Sequence, residues 1–156
     1  MRKISSILLL TLCVSMTAQY TPRHKQTAWE KWSRPVGIVL YHVSTVALGS
    51  IGDAMMDEGN KNLGHALQAG EISALLAGPF IFDIKRNEWL SYVATYGFLR
   101  FSLFDSFYAK SRSLPLLFNG TTSSYDRFMN TIPPDGRAWI KSWSLIVGVS
   151  IPLNKL

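Results

Sequence analysis

Four long apolar segments make up about half of this chain, and most of them are interrupted by an isolated ion or histidine. They run over residues 36–51, 63–84, 88–109 and 137–153. Each is roughly 16 to 22 residues long, close to the ~20 that a helix needs to cross a bilayer. The second holds His65 and Glu71, and the third holds Arg100 and Asp105. An ionised group at a bilayer centre costs about 2.5–3.5 kcal/mol on insertion scales, so such groups must turn inward and pair or lie near an interface. In a water-soluble core they must pair as well. The pattern therefore predicts an all-α bundle of about four helices with its ions meeting inside, surrounded by lipid or by water. Hydrophobic residues at 47% against 17% charged exclude a disordered chain. A length of 156 residues fits one domain. A lone cysteine, Cys13, excludes a disulfide scaffold and a cysteine-based zinc site.

The first residues read as an export signal. Met1-Arg2-Lys3 is followed by an apolar run over 4–14 and by Ser15-Met16-Thr17-Ala18-Gln19. An uncleaved anchor would be short for a span. A lipid-modified Cys13 would need a small residue before it, and Leu12 stands there. The organisation expected is a signal peptide over 1–19, a basic tail over 20–34 and a single helical domain over 35–156. Cleavage removes the cysteine and the cations Arg2 and Lys3, lowering the formal charge from +6 to +4. The tail carries Arg23, Lys25, Lys31 and Arg34 beside Trp29 and Trp32. Such a mixture suits an anionic membrane surface, because indole rings favour the interface. A solvated tail with docked tryptophans is the alternative. Export argues against nucleic acid as a partner despite a pI near 9.6.

Along the domain, Pro35 suits the first turn of the first helix, and Gly49 with Gly52 marks its break. In the second segment Ala66, Gly70, Ala74 and Gly78 recur every four residues, a small-residue ridge that admits another helix closely. Pro79 ends or kinks that helix. The third segment is apolar all round, with Trp89, Tyr92, Tyr96, Phe98, Phe101, Phe104, Phe107 and Tyr108. Residues 110–134 read as loop with turns at Asn119-Gly120 and Pro133-Pro134, and Ser123 is placed to cap a short helix through Met129. The last segment fits a helix from Arg137. Its alternation through Trp143, Leu145, Val147, Val149, Ile151 and Leu153 also suits an extended end over 147–153. Charge bias gives no clean topology: the acidic 53–58 loop and basic Lys85-Arg86 fit outside then inside, and Lys110 with Arg112 do not.

The chemistry-bearing residues concentrate in two stretches. Asp53 and Asp57 stand four apart, so a helical turn puts them on one face, and Gly59 and Asn60 supply a helix stop and a cap before His65. Two carboxylates and a histidine are a candidate divalent-metal set, with His42 or Asp105 to complete it. A capped, hydrogen-bonded turn explains the same residues without a metal, and no cofactor is called for. In Arg100-Phe101-Ser102-Leu103-Phe104-Asp105, the arginine must find a partner inside an apolar helix. Asp105 points elsewhere on the circumference, so Arg100 is expected to reach Glu71, Asp53 or Asp57, and Asp105 to take Lys61, His42 or Arg112. The structural reading is a polar network that fixes helix register. The enzymatic reading is a buried acid–base site, with His65 as base, Arg100 as anion clamp and Asp53, Asp57 and Asp105 as further candidates. The chain contains no Gly-x-Ser-x-Gly elbow, phosphate loop or dinucleotide fingerprint.

These stretches carry a resemblance. Gly52-Asp53 with Asp57-x-Gly59-x-Lys61-x-x-Gly64-His65, then Arg100-Phe101-x-Leu103-Phe104-Asp105, then Gly120-x-Thr122-Ser123-x-Tyr125-Asp126, resembles a group of small exported proteins of Bacteroidota and their phages. It spans residues 53–126 and implies export without implying an activity. Asn60-Lys61 followed by His65 is also similar to the Asp-Lys-x-x-His start of some small envelope lipoproteins. Gly64 shifts the histidine here, and the lipid-attachment signal is missing. The reading that follows is an exported protein of the bacterial envelope, membrane-associated, with a structural or interaction role and an envelope protein as a candidate partner. A small membrane-embedded hydrolase or metal-dependent enzyme is the alternative. A binder of small ligands or lipid among the third segment's aromatics is a further class.

Overall fold

The computed structural model describes residues 28–153 apart from 117, 119 and 121–123, with residues 28–30 described by their backbone alone. The expected signal peptide, most of the basic tail and the Ser123 cap lie outside the described residues. Helix α1 spans Ala28–Asp57, α2 Lys61–Ile81, α3 Trp89–Ser111, α4 Ser124–Asn130 and α5 Pro134–Leu153, with a 3-10 turn at Arg86–Glu88. The all-α bundle is thus observed, and among the described residues there is no strand.

Local chemistry explains the corners. Gly59 has φ +88, a conformation that costs glycine little, and it stops α1. The Asn60 side chain then accepts from the Leu63 amide at 3.4 Å, capping α2. At the opposite end, Arg34 donates to the carbonyls of Phe82 (3.0 Å) and Asp83 (3.1 Å) and pairs with Glu88 at 2.8 Å. One guanidinium satisfies carbonyls left over where α2 ends and ties them to the start of α3.

These contacts fix an up-down-up order for α1, α2 and α3. α1 is central, packing on α2 and α3, while α5 lies mainly against α3 and touches α1 less extensively. Hydroxyls join the helices: Ser50 donates to the Phe104 carbonyl (2.7 Å), Ser102 to Lys141 (2.8 Å) and Ser144 to Phe98 (2.9 Å). The last two run in opposite directions along α3 and α5, so those helices are antiparallel.

Pro79 sits inside α2 and lacks an N–H, which leaves the Leu75 carbonyl without its helical donor. The Tyr92 hydroxyl fills that vacancy at 3.1 Å, and Tyr41 donates to the adjacent Ala74 carbonyl at 2.6 Å. Tyr92→Phe is therefore expected to lower stability by about 1–2 kcal/mol, the cost of a buried acceptor left unmade. Unfolding midpoints would measure it, and an unchanged midpoint would show the bond to be dispensable.

Several sequence expectations need correction. Residues 28–34, expected in the tail, are helical, so Pro35 lies inside α1 instead of in its first turn. α1 also runs through Gly49 and Gly52 without a break. The contact ridge of α2 is Gly64, Glu71 and Gly78, spaced by seven; Ala66 is exposed, and a Cβ at Gly70 would meet open space. A four-residue ridge drifts about 40° around a helix per step and a seven-residue ridge only about 20°, so the second stays on a near-parallel neighbour. Residues 147–153 are helical, not extended. Ser144, Gly148 and Pro152 are the buried residues of α5, while Trp143, Ile146 and Val147 point outward. Of the alternating residues only Trp143 and Val147 are exposed, and Leu145, Val149, Ile151 and Leu153 are half-buried, so the alternation marks no single face and was no strand signal.

Polar side chains share the interior with apolar ones such as Leu99, Met129 and Val46. The most fully buried side chains include His42, Thr45, Ser50 and Thr95. Over 36–56, 66–80, 89–109 and 138–153, every exposed residue is apolar or glycine except Ser73 and Ser142. Phe80 is 81% exposed, Leu90 82% and Trp139 67%. Exposed charges gather beyond those limits: Lys31, Arg34, Asp83, Lys85 and Arg86 at one end, and Asp57, Glu58, Lys61, Lys110 and Asp135 at the other.

Candidate functional site: a polar column inside the bundle

Midway along α2 and α3, Glu71 meets Arg100. Of the three acids the sequence allowed, the arginine takes this one, its Nη1 on Glu71 Oε1. The Tyr96 hydroxyl donates to the same oxygen at 2.6 Å, and Arg100 Nη1 donates to the Tyr96 oxygen at 3.3 Å. The guanidinium lies 4.3 Å from the Phe104 ring centroid. Tyr96, Arg100 and Phe104 are four apart, so one face of α3 presents donor, cation and aromatic cover together. From α1, Gly49 closes the site: a Cβ there would fall 2.0 Å from Glu71 Oε2. The glycine lets the carboxylate lie flat on α1, and three helices are locked at one level. Chemically this is a neutralised, hydrogen-bonded ion pair.

The other candidate residues are dispersed along the bundle. Asp53 accepts from Gln68 Nε2 across α1 and α2. Asp57 is exposed at the end of α1 and accepts from the Tyr108 hydroxyl, with Arg112 at 3.5 Å. Arg112 donates to the Tyr108 oxygen at 2.7 Å. That bond, ahead of the charge of Asp57, raises the guanidinium pKa above its ordinary value. Asp105 corrects an expectation: it pairs with Lys141 of α5, not with Lys61, His42 or Arg112. His65 is exposed on α2, whereas Arg100 turns inward. The geometry does not bring the proposed base and clamp together. Among the described residues, no three His, Cys, Asp or Glu side chains form a group able to hold a metal, so Asp53, Asp57 and His65 are not gathered as ligands.

Two features were harder to read in advance. His42 is fully buried, its ring 4.4 Å from that of Tyr92 and 5.7 Å from that of Tyr96, and neither nitrogen finds a hydrogen-bond partner among the described residues. Its signal was a single imidazole in an otherwise uncharged segment. Lys141 is the sole ionised residue between 138 and 153, and that isolation could have pointed to Asp105. Near this second pair, Tyr125 of α4 meets the Phe101 ring edge-on at 6.0 Å. Burial, then the charges of Asp105 and Asp126, pushes its hydroxyl up to about 12.

No protein-family model matches this chain, and neither the curated proteins nor the solved structures contain a significant match.

Proposed function

We propose that this protein is a membrane-embedded helical bundle of the bacterial envelope, exported, with a structural or interaction role. The observation that carries the reading is the apolar outer surface between two charged ends. Soluble proteins expose scattered apolar residues, but not charge-free apolar surfaces on three helices at once, α2, α3 and α5. Lipid is the occupant that suits such a surface, because the exposed apolar residues are spread over several helices. The interior supports the same reading. Glycine contacts, hydroxyl-to-carbonyl bonds and a few neutralised ions hold helices together where apolar burial supplies no driving force.

By composition, one described helix, over Lys31–Asp57, is long and apolar enough to cross a membrane. The others carry more polar residues, among them His65, Gln68 and Glu71 on α2, Arg100 and Asp105 on α3, and Arg137 and Lys141 on α5. At about 1.5 Å per residue, α2, α3 and α5 reach roughly 30–35 Å, and their charge-free outer surfaces roughly 22–32 Å, against a ~30 Å hydrocarbon core. The decisive experiment is extraction of membranes from cells expressing the full chain. Retention after alkaline carbonate, with release by detergent, is expected; release by carbonate alone would overturn the reading.

A further inference from the structure

A cleft of about 230 Å³ opens between α3 and the first half of α5. Arg137, Lys141, Ser106 and Ser142 line it together with Leu103 and Leu145. From this lining we infer that the cleft binds the phosphate of an anionic phospholipid. The inference rests on the membrane-embedded reading.

Three observations carry it. First, the two cations differ. Lys141 is neutralised by Asp105, whereas Arg137 donates to the neutral Asn130 amide oxygen at 2.9 Å. That bond uses one of five guanidinium donors and leaves the charge in place. Arg137 with the Ser106 and Ser142 hydroxyls forms a donor set for phosphate oxygens. Second, the cleft is graded along its length. Arg137 lies one turn from the charged end of α5, and Leu145 about 12 Å deeper, at the level of the exposed apolar belt. A headgroup at the rim with an acyl chain running inward matches that gradient, and a free phosphate would use the rim alone. Third, the uncompensated cation at the rim, Arg137, disfavours the ammonium of a zwitterionic lipid, so a headgroup such as phosphatidylglycerol fits better.

The full chain, purified in detergent and offered phosphatidylglycerol or phosphatidylcholine, would be assayed by native mass spectrometry. At least tenfold preferential retention of phosphatidylglycerol is expected, falling severalfold in Arg137→Gln and in Ser106→Leu, which fills the cleft. Equal retention of both lipids, or a preference unchanged in both variants, would overturn the inference. So would displacement of phosphatidylglycerol by millimolar inorganic phosphate, which would make the ligand a soluble anion. A protein that leaves carbonate-washed membranes defeats the membrane reading itself. One that stays in them without lipid preference defeats only this cleft.

Discussion

With lipid around the bundle, as proposed, Arg100→Met should destabilise it by about 3 kcal/mol, because removing one partner of the pair strands the buried Glu71. Glu71 would remain buried on Gly49 with Tyr96 as its surviving donor. The size of the loss also reports on the surroundings. The Arg100 side chain is 38% exposed in the isolated chain. In water, such a pair is screened and worth about 1 kcal/mol or less. In lipid, that exposed third meets hydrocarbon, and no solvent is available to compensate. The double variant Arg100→Met/Glu71→Gln should recover more than half of the loss, since the amide oxygen still accepts from Tyr96 and no charge is stranded. Unfolding midpoints in micelles provide the measurement. A single-variant cost under about 0.5 kcal/mol would remove the pair's role in holding register.

What could be read from the sequence, and what could not, follows from how many neighbours each feature needs. The helices follow from segment length, and the α1–α2 corner from Gly59 and Asn60, residues whose backbone preferences act locally. That Arg100 needs an acid was legible too, because an arginine among aromatics has few other outcomes. Which acid it takes was not, since Glu71 prevails only through Gly49, 22 positions earlier, where a bare Cα makes room. The ridge on α2 and the ending of α5 were misread for a shared reason. Both readings rested on spacing alone, small residues every four and apolar residues every two, and spacing does not say which face meets a neighbour when many apolar residues lie outward. Once Ile72, Leu76, Phe80, Trp143 and Ile146 are assigned outward, the inner lines Gly64–Glu71–Gly78 and Ser144–Gly148–Pro152 follow from helical geometry alone. His65 drew attention by its sequence neighbours and faces outward. His42 drew less and is fully enclosed.

Glycine-to-alanine substitutions should split sharply by position. At Gly49 the new methyl would overlap the Glu71 carboxylate, and at Gly78 it would fall 1.8 Å from the Tyr92 hydroxyl and 2.9 Å from a Tyr41 ring carbon. Neither neighbour can yield freely: the first is fixed by Arg100 and Tyr96, and the second fills the vacancy left by Pro79. Each of these two variants is expected to lose about 3 kcal/mol or more, combining overpacking with a broken polar contact. At Gly70 and Gly97 a Cβ meets nothing within 4 Å. There, alanine should be neutral or stabilising by up to about 1 kcal/mol, because it restricts the unfolded chain and favours the helix. The four variants share one chemical change, so differences in side-chain transfer cancel, and only interhelical distance separates the pairs. Midpoints for Gly49→Ala and Gly78→Ala matching those for Gly70→Ala and Gly97→Ala would mean that α2 does not approach α1 and α3 along the Gly64–Glu71–Gly78 line.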